Sequence, residues 1–445
     1  MASTVTSRGL VLEILLKITR DGEYSHIVLK NVLDQYQYLD KKERAFITRV
    51  VDGTLERMIE LDYIIDQFSK VKVRKMKPVI RTILRSSVYQ LKYMDSVPDS
   101  AVCNEAVKLA VMKGFQNLKG FVNGVLRNIS RNLSEVSFPS GEDGVYNLSV
   151  RYSLPEWMIR QWLGEYDEET VCRMAEEFLK VRPVTIRCST DRISRDELIR
   201  VLKSEGVSVR EDADLPYALH ISGFDHLTGL ESFCEGLYQV QDISSMQVAE
   251  WAEAREGDYV IDVCAAPGGK ALHLASKLKG TGHVEARDLT EYKVGLIRDN
   301  IRQSGLSNIE AVQWDALIPD ASAREKADIV VADLPCSGLG VLGRKPDLKY
   351  KMAEDIQKEL VLLQRRILSV VTEYVKPGGK LIYSTCTIHR KENEENSRWL
   401  LEHCPGFRML RERQMLPGRD AGDGFYIALF EKLPEAGGPD REGDA

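Results

Sequence analysis

No stretch of this sequence is apolar for long enough to span a bilayer. Its start, Met1-Ala2-Ser3-Thr4, lacks the charged-then-apolar order of a secretory signal. A cytoplasmic protein without a membrane partner is expected. The eight cysteines are scattered, with no C-x-x-C pair and no metal-ligand spacing. Free thiols are therefore expected rather than a disulfide framework, and no metal site is expected. The glycine-bearing turn at Ala265–Lys270 also lacks G-x-G-x-x-G, the pattern that serves the pyrophosphate of a dinucleotide.

The rest of the composition is that of a globular protein, with 43% hydrophobic and 29% charged residues in a chain of 445. That length suggests about three domains. The net charge of −6 hides an asymmetry. Residues 1–132 carry 22 Lys+Arg against 14 Asp+Glu, a local charge of +8 that leaves −14 for the remainder. A basic module joined to an acidic one points to a polyanion for the first part, unless that surface is simply solvated.

Residues 1–132 read as helix nearly throughout. Leu10, Val11, Ile14, Leu15 and Ile18 repeat at helical spacing, and Ile27, Leu29, Val32 and Leu33 begin a second amphipathic stretch. Asp40 is an N-cap with Glu43 at the third helical position, opening a helix through Ile47, Val50, Val51 and Leu55. Pro78 opens another through Ile80, Ile83, Leu84 and Val88. Gly120 to Asn128 reads as the last core helix, its glycines permitting close packing. This all-α module, with Lys119-Gly120-Phe121-Val122-Asn123-Gly124-Val125-Leu126-Arg127, resembles the NusB-like RNA-binding domain. The cluster Lys70, Lys72, Arg74, Lys75, Lys77, Arg81 and Arg85 reads either as a phosphate-contacting surface or as a solvated loop and helix start.

Residues 133–150 are polar with turn formers and read as a linker. Residues 151–240 read as a small α+β connecting module, with helix from Leu154, a strand over Pro183–Cys188, a helix over 195–205 and strands at 207–209 and 218–221. From 241 to 432 strands and helices alternate, the pattern of a mostly parallel, Rossmann-like α/β sheet covered on both faces. Residues 433–445, rich in Gly, Pro and acid, are expected to be disordered.

The α/β module is organised around Val260-Ile261-Asp262-Val263-Cys264-Ala265-Ala266-Pro267-Gly268-Gly269-Lys270. A buried strand breaks at Ala265-Ala266-Pro267 and restarts as a helix, the order in which open α/β sheets offer backbone N–H groups to a nucleotide-like ligand. Aspartates stand at the ends of the next three strands. Asp288, about 20 residues past the turn, is placed for ribose hydroxyls. Asp315 is placed for an adenine amine and Asp333 for a cationic amine. An adenosine carrying an amino-acid tail fits this set, and S-adenosylmethionine is that ligand. Its expected contacts are Cys264, Ala265, Ala266, Pro267, Gly268, Gly269, Lys270, Asp288, Asp315 and Asp333.

Cys336, in Pro335-Cys336-Ser337-Gly338, and Cys386, in Ser384-Thr385-Cys386-Thr387, end the fourth and fifth strands and are expected to be neighbours. Carbon 5 of a pyrimidine is a poor nucleophile until a thiolate adds to carbon 6. It can then attack a methyl sulfonium, and a base must afterwards remove the carbon 5 proton so that the thiolate leaves. Two cysteines and Asp333 would supply the protein groups. Whether Asp333 serves as base or holds the donor's amine stays open.

The Asp262–Lys270, Asp333–Gly338 and Ser384–Thr387 segments resemble the cofactor, proline-cysteine and threonine-cysteine motifs of the RNA 5-methylcytosine methyltransferases. With its NusB-like start, the chain to about residue 432 resembles the RsmB (Sun/Fmu) family of small-subunit ribosomal RNA enzymes. Val263 and Leu334 stand where that family often has Ala; both are apolar and carry no proposed role. The resemblance implies that Cys386 is the nucleophile and that Cys336 assists release of the methylated base. It implies 16S ribosomal RNA, free or partly assembled, as partner, and cytosine 967 as the family's usual target. A monomer acting on a single-stranded loop is expected. Gly343-Arg344-Lys345-Pro346-Asp347 resembles the family's active-site loop, implying contact with the RNA backbone. The competing reading is an RNA-binding assembly or antitermination factor with a vestigial methyltransferase fold. Both cysteines and all three aspartates argue against it. A nicotinamide oxidoreductase is a more distant alternative.

Overall fold

The computed structural model describes residues 6–36 and 38–434. Among these the chain forms two compact units. One runs to Lys180 and includes Leu342–Lys351; the other holds Val181–Val341 and continues from Met352. The expected disordered tail lies, from residue 435, outside the described residues.

The first unit is helical, as its periodicity predicts: α1 (Ser7–Thr19), α2 (Ser25–Gln35), α3 (Lys41–Glu56), α4 (Met58–Phe68), α5 (Pro78–Tyr93), α6 (Asp99–Met112), α7 (Lys119–Asn132), α8 (Gly144–Tyr152), α9 (Glu156–Leu163) and α10 (Glu168–Phe178). The Asp40 carboxylate accepts the Glu43 N–H at 2.8 Å, satisfying an orphan donor at the start of α3. Pro78 takes the first position of α5, where its missing N–H costs nothing. Ile14 and Leu15 of α1, Val50 and Val51 of α3, Ile83 and Leu84 of α5, and Val122 and Leu126 of α7 share one core.

Four details depart from the sequence reading. In α2 it is Val28 that is buried, while Ile27 is exposed. A Cβ added at Gly120 or Gly124 would meet nothing within 4 Å, so these glycines do not serve close packing. That part falls to Gly53 of α3, whose added Cβ would lie 2.0 Å from the Tyr89 ring. The stretch read as a linker carries a 3₁₀ turn at Leu133–Glu135 and α8 from Gly144. In the basic cluster, Arg85 is withdrawn: it is buried, and its Nε donates to Asp62 Oδ1 at 2.6 Å. Lys70, Lys72, Arg74, Lys75 and Lys77 remain exposed.

The second unit starts with β1 (Val184–Cys188), α11 (Arg195–Ser204), β2 (Ser208–Glu211), β3 (Ala218–Ser222), α12 (Glu231–Cys234) and β4 (Tyr238–Val240). They form a sheet of order β2-β3-β1-β4, antiparallel throughout. Ile186, Leu198, Leu202, Leu219 and Tyr238 pack together on it.

The larger sheet follows, with α13 (Ile243–Ala252), β5 (Tyr259–Asp262), α14 (Gly269–Lys277), β6 (His283–Asp288), α15 (Glu291–Ser304), β7 (Ile309–Gln313) and β8 (Ala327–Asp333). The short α16 (Leu348–Lys351) belongs to the first unit. Then come α17 (Glu354–Val371), β9 (Val375–Thr385), α18 (Glu394–His403), β10 (Phe407–Met415) and β11 (Phe425–Lys432). Strand order is β10-β11-β9-β8-β5-β6-β7, parallel from β9 to β7, with β11 antiparallel to β9 and to β10. The strand β10, an exposed edge strand rich in Arg, is not evident from the sequence pattern.

Successive side chains of β5 face opposite ways. Val260 packs with Leu272 and Ala275 of α14, and Ile261 with Leu368 and Val371 of α17. The chain runs β5-β6-β7 in one direction and returns to place β8 on the other side of β5. The β5/β8 boundary is thus a topological switch point, where open α/β sheets bind ligands. No described helix is long and apolar enough to cross a membrane.

Candidate active site

The Gly-rich turn leaves β5 at this switch point. Gly268 has φ +110°, a conformation side chains rarely adopt, and its N–H donates to Ala265 O at 2.6 Å. This closes the turn and starts α14 at Gly269, whose first N–H groups and dipole favour an anion. Ala265, Ala266, Pro267, Gly269 and Lys270 line a cavity of about 240 Å³, which they share with Gln241, Asp262, Asp333, Cys386 and Phe425. Cys264 and Gly268 shape the turn without lining the cavity.

Within it, Lys270 Nζ donates to Asp333 Oδ2 at 2.7 Å, while Ser384 Oγ donates to Asp333 Oδ1 at 2.8 Å. Burial works against the Lys270 charge, but Asp333 beside it, with Asp262 and Cys386, holds the ammonium above its ordinary range. Lys270 therefore balances the carboxylates of the site. Burial and the charges of Asp262, Asp288 and Asp333 also hold the Cys264 thiol above its ordinary range.

Asp262, at the end of β5, is fully buried. Burial first, and then the charge of Asp333, push its carboxyl up to about 7. The folded protein favours its neutral form, so this group carries no penalty below about pH 4. The penalty grows to a few kcal/mol as pH rises through 7, because the ionised form is then preferred only in the unfolded chain. For Asp262→Asn, the melting temperature relative to the parental cofactor-free protein is expected to rise between pH 4 and pH 8. Thermal unfolding across pH checks this, and a difference that does not change with pH would refute it.

The other two aspartates are placed differently. Asp288 is buried; its Oδ2 accepts the Ala266 N–H at 3.0 Å, its Oδ1 accepts the Leu289 N–H at 2.8 Å, and Lys293 pairs with it at 3.1 Å. It braces the turn and is not among the residues lining the cavity. Asp315 accepts the Leu317 N–H at 2.9 Å in a tight turn after β7 and does not line the cavity either.

The two cysteines meet. In the parallel pairing of β8 and β9, Asp333 stands opposite Ser384, so Cys336 and Cys386 leave adjacent strands in the same direction. Their Sγ atoms are 3.3 Å apart, and none of the eight cysteines, all among the described residues, forms a disulfide. The hydrogen bond to Cys386, with burial and the Cys386 charge, holds the Cys336 thiol well above its ordinary range. Cys336 thus keeps its proton, and Cys386 is the sulfur that lines the cavity.

A buried network that the sequence reading did not find fixes the segments around both thiols. Glu392, fully buried, accepts the Ser337 N–H at 2.9 Å, the Ser337 hydroxyl at 2.5 Å and Gln364 Nε2 at 3.1 Å. Ser337 Oγ meets Thr387 Oγ1 at 2.8 Å, and Asn393 Nδ2 donates to Thr387 O at 3.0 Å. Gly340 donates its N–H to Cys386 O at 3.0 Å; a Cβ there would lie 1.9 Å from Gly424 O, so only glycine allows this approach. Nothing around Arg390-Lys391-Glu392-Asn393-Glu394 in the sequence distinguishes these residues from a solvated loop. The resembling segment 343–347 also divides: Gly343, Arg344 and Lys345 are exposed, whereas Asp347 is buried and accepts the Ser25 hydroxyl at 2.6 Å. Asp347 is thus no contact for an RNA backbone.

The chain has counterparts among known proteins. The family model for 16S rRNA methyltransferase RsmB/F matches residues 249–431, the NusB family model residues 5–131, and the RsmF/B-like ferredoxin-like domain residues 154–226. The probable ribosomal RNA small subunit methyltransferase B of Bacillus subtilis (strain 168) is 35% identical over 443 residues, covering 96% of this chain and 98% of that protein. The chain belongs to the RsmB/F family. The ribosomal RNA small subunit methyltransferase B of Klebsiella pneumoniae (strain 342) is 28% identical, over 97% of this chain and 99% of that one. Among solved structures, the crystal structure of PH0851 superposes with a TM-score of 0.82 at 25% identity, covering 96% of this chain and 99% of that one.

As an RsmB/F member the chain is an S-adenosylmethionine-dependent methyltransferase. The lining has groups that suit the amino-acid end of that cofactor: N–H donors at the start of α14, and the carboxylates of Asp262 and Asp333 as acceptors. Among the described residues no cluster of three or more His, Cys, Asp or Glu could hold a metal.

Proposed function

We propose that this RsmB/F-family chain methylates carbon 5 of a cytosine in 16S ribosomal RNA through a covalent bond between Cys386 and carbon 6. The observation that carries the reading is the thiol pair, 3.3 Å apart, of which only Cys386 lines the cofactor cavity. S-adenosylmethionine supplies a methyl group made electrophilic by its sulfonium. The Cys386 thiolate adds to carbon 6, and ring nitrogen 3 takes up a proton. Carbon 5, now enamine-like, takes the methyl group. Loss of the carbon 5 proton to a base restores the carbon 5–carbon 6 double bond and breaks the carbon 6–sulfur bond, whose electron pair returns to Cys386, and ring nitrogen 3 gives back its proton. The Cys336 thiol stands ready to donate a hydrogen bond to that returning thiolate, which makes it the better leaving group.

Asp333 already accepts hydrogen bonds from Lys270 and Ser384 at the cavity wall. Its part is to hold the donor's amine. Asp288 and Asp315 serve the ribose and the adenine in this reading. The exposed Lys70, Lys72, Arg74, Lys75 and Lys77 offer phosphate contacts to the RNA.

Bisulfite sequencing of 16S ribosomal RNA from a deletion strain tests this. One protected cytosine, cytosine 967 if the family's usual target holds, is expected to lose protection. The parental gene should restore it and Cys386→Ala should not. Unchanged protection in the deletion strain refutes the proposal.

A further inference from the structure

Gln241, between β4 and α13, is 6% exposed and lines the cofactor cavity. Its Oε1 accepts a hydrogen bond from Arg187 Nε at 2.8 Å. An arginine Nε–H can only donate, so the amide's orientation is fixed by chemistry: oxygen toward Arg187, Nε2 away from it. That Nε2 is buried and has no hydrogen-bond partner within the protein. A buried donor left unmade costs about 1–3 kcal/mol, and this one belongs to a side chain that lines the cofactor cavity. The side chain also stands over the start of α14, its Cδ 4.0 Å from a Cβ built on Gly269.

We propose that Gln241 Nε2 donates to the carboxylate of the methionine end of S-adenosylmethionine, and that Arg187 is a positioning residue that fixes the amide for it. The division of the cavity supports a carboxylate as the group bound. Asp262 and Asp333 are acceptors and suit the ammonium, and Lys270 is engaged by Asp333. Among the donors of the lining left for the carboxylate are the first N–H groups of α14, the Ser245 hydroxyl and Gln241 Nε2. Arg187 is itself buried in β1, where it stands opposite Gln239. The small antiparallel sheet thereby contributes to the cofactor site of the larger one.

Gln241→Glu is the informative variant. It keeps an acceptor for Arg187, and so the local fold, but turns an acceptor toward the cavity. Calorimetric titration with S-adenosylmethionine should show binding weakened by about tenfold or more. Titration with decarboxylated S-adenosylmethionine should show almost no difference between parental and variant proteins. Gln241→Leu should weaken binding of the intact cofactor in the same selective way, and either variant should raise KM for the cofactor far more than it lowers kcat. Arg187→Lys, which retains a cation but loses the fixed Nε–H, should give a smaller loss of the same kind. Equal weakening of both cofactors would mean a scaffold role, and parental affinity in Gln241→Glu would mean no contact; either overturns the proposal. If the parental protein bound no S-adenosylmethionine, the cofactor assignment would fall and the proposal with it.

Discussion

Cys386→Ala is expected to lower methyl transfer to 16S ribosomal RNA by at least about 10⁴-fold, since the thiolate creates the nucleophile rather than merely stabilising it. Without sulfur at carbon 6, carbon 5 has no electron density to offer the methyl group. Cys336 is not a substitute, because its hydrogen bond to Cys386 and its burial keep it a thiol. The variant should remain folded and should still bind cofactor. Its thiol is partly buried, and the neighbouring Thr387 is held independently through Ser337 and Asn393. Transfer of a labelled methyl group to a 16S transcript, with thermal unfolding as the control for structure, measures this. Activity within tenfold of parental would exclude Cys386 as the nucleophile.

Cys336→Ala should behave in the opposite sense and accumulate a covalent RNA–protein adduct, visible as a slowly migrating band on a denaturing gel. Addition at carbon 6 and methyl transfer need only Cys386. Expulsion of the thiolate loses the hydrogen bond that Cys336 supplies from 3.3 Å. The adduct should require both RNA and S-adenosylmethionine, and the double variant should form none. An adduct in Cys386→Ala but not in Cys336→Ala would exchange the two roles.

Local rules made much of this protein legible. The helices of the first unit follow from apolar spacing, the Asp40 cap and Pro78 at the start of α5. The turn after β5 follows from its glycines, and the parallel sheet from the alternation of strand and helix. The two cysteines, expected to be neighbours from their strand ends, are neighbours. What was misread was the partner of each side chain. Gly120 and Gly124 sit at helix positions that face open space, while Gly53 faces Tyr89. Arg85 belongs to a run that reads as a basic surface, yet Asp62, 23 residues earlier, withdraws it. The edge strand β10 carries so much charge that its period-2 pattern is hidden.

The sequence by itself determined most of the element order, the strand-turn-helix after β5 and the place of Cys336 and Cys386 at the ends of two strands. Each rests on the residue's own chemistry or on neighbours within a few positions. Only the tertiary structure decided that Lys270 pairs with Asp333, that Glu392 is buried beneath both thiol loops, and that Gln241 presents a donor while Asp288 braces the turn. These are choices between hydrogen-bond partners tens of residues apart, and the register of parallel strands sets them. No local pattern encodes that register, because it is fixed by the packing of both faces of the sheet at once.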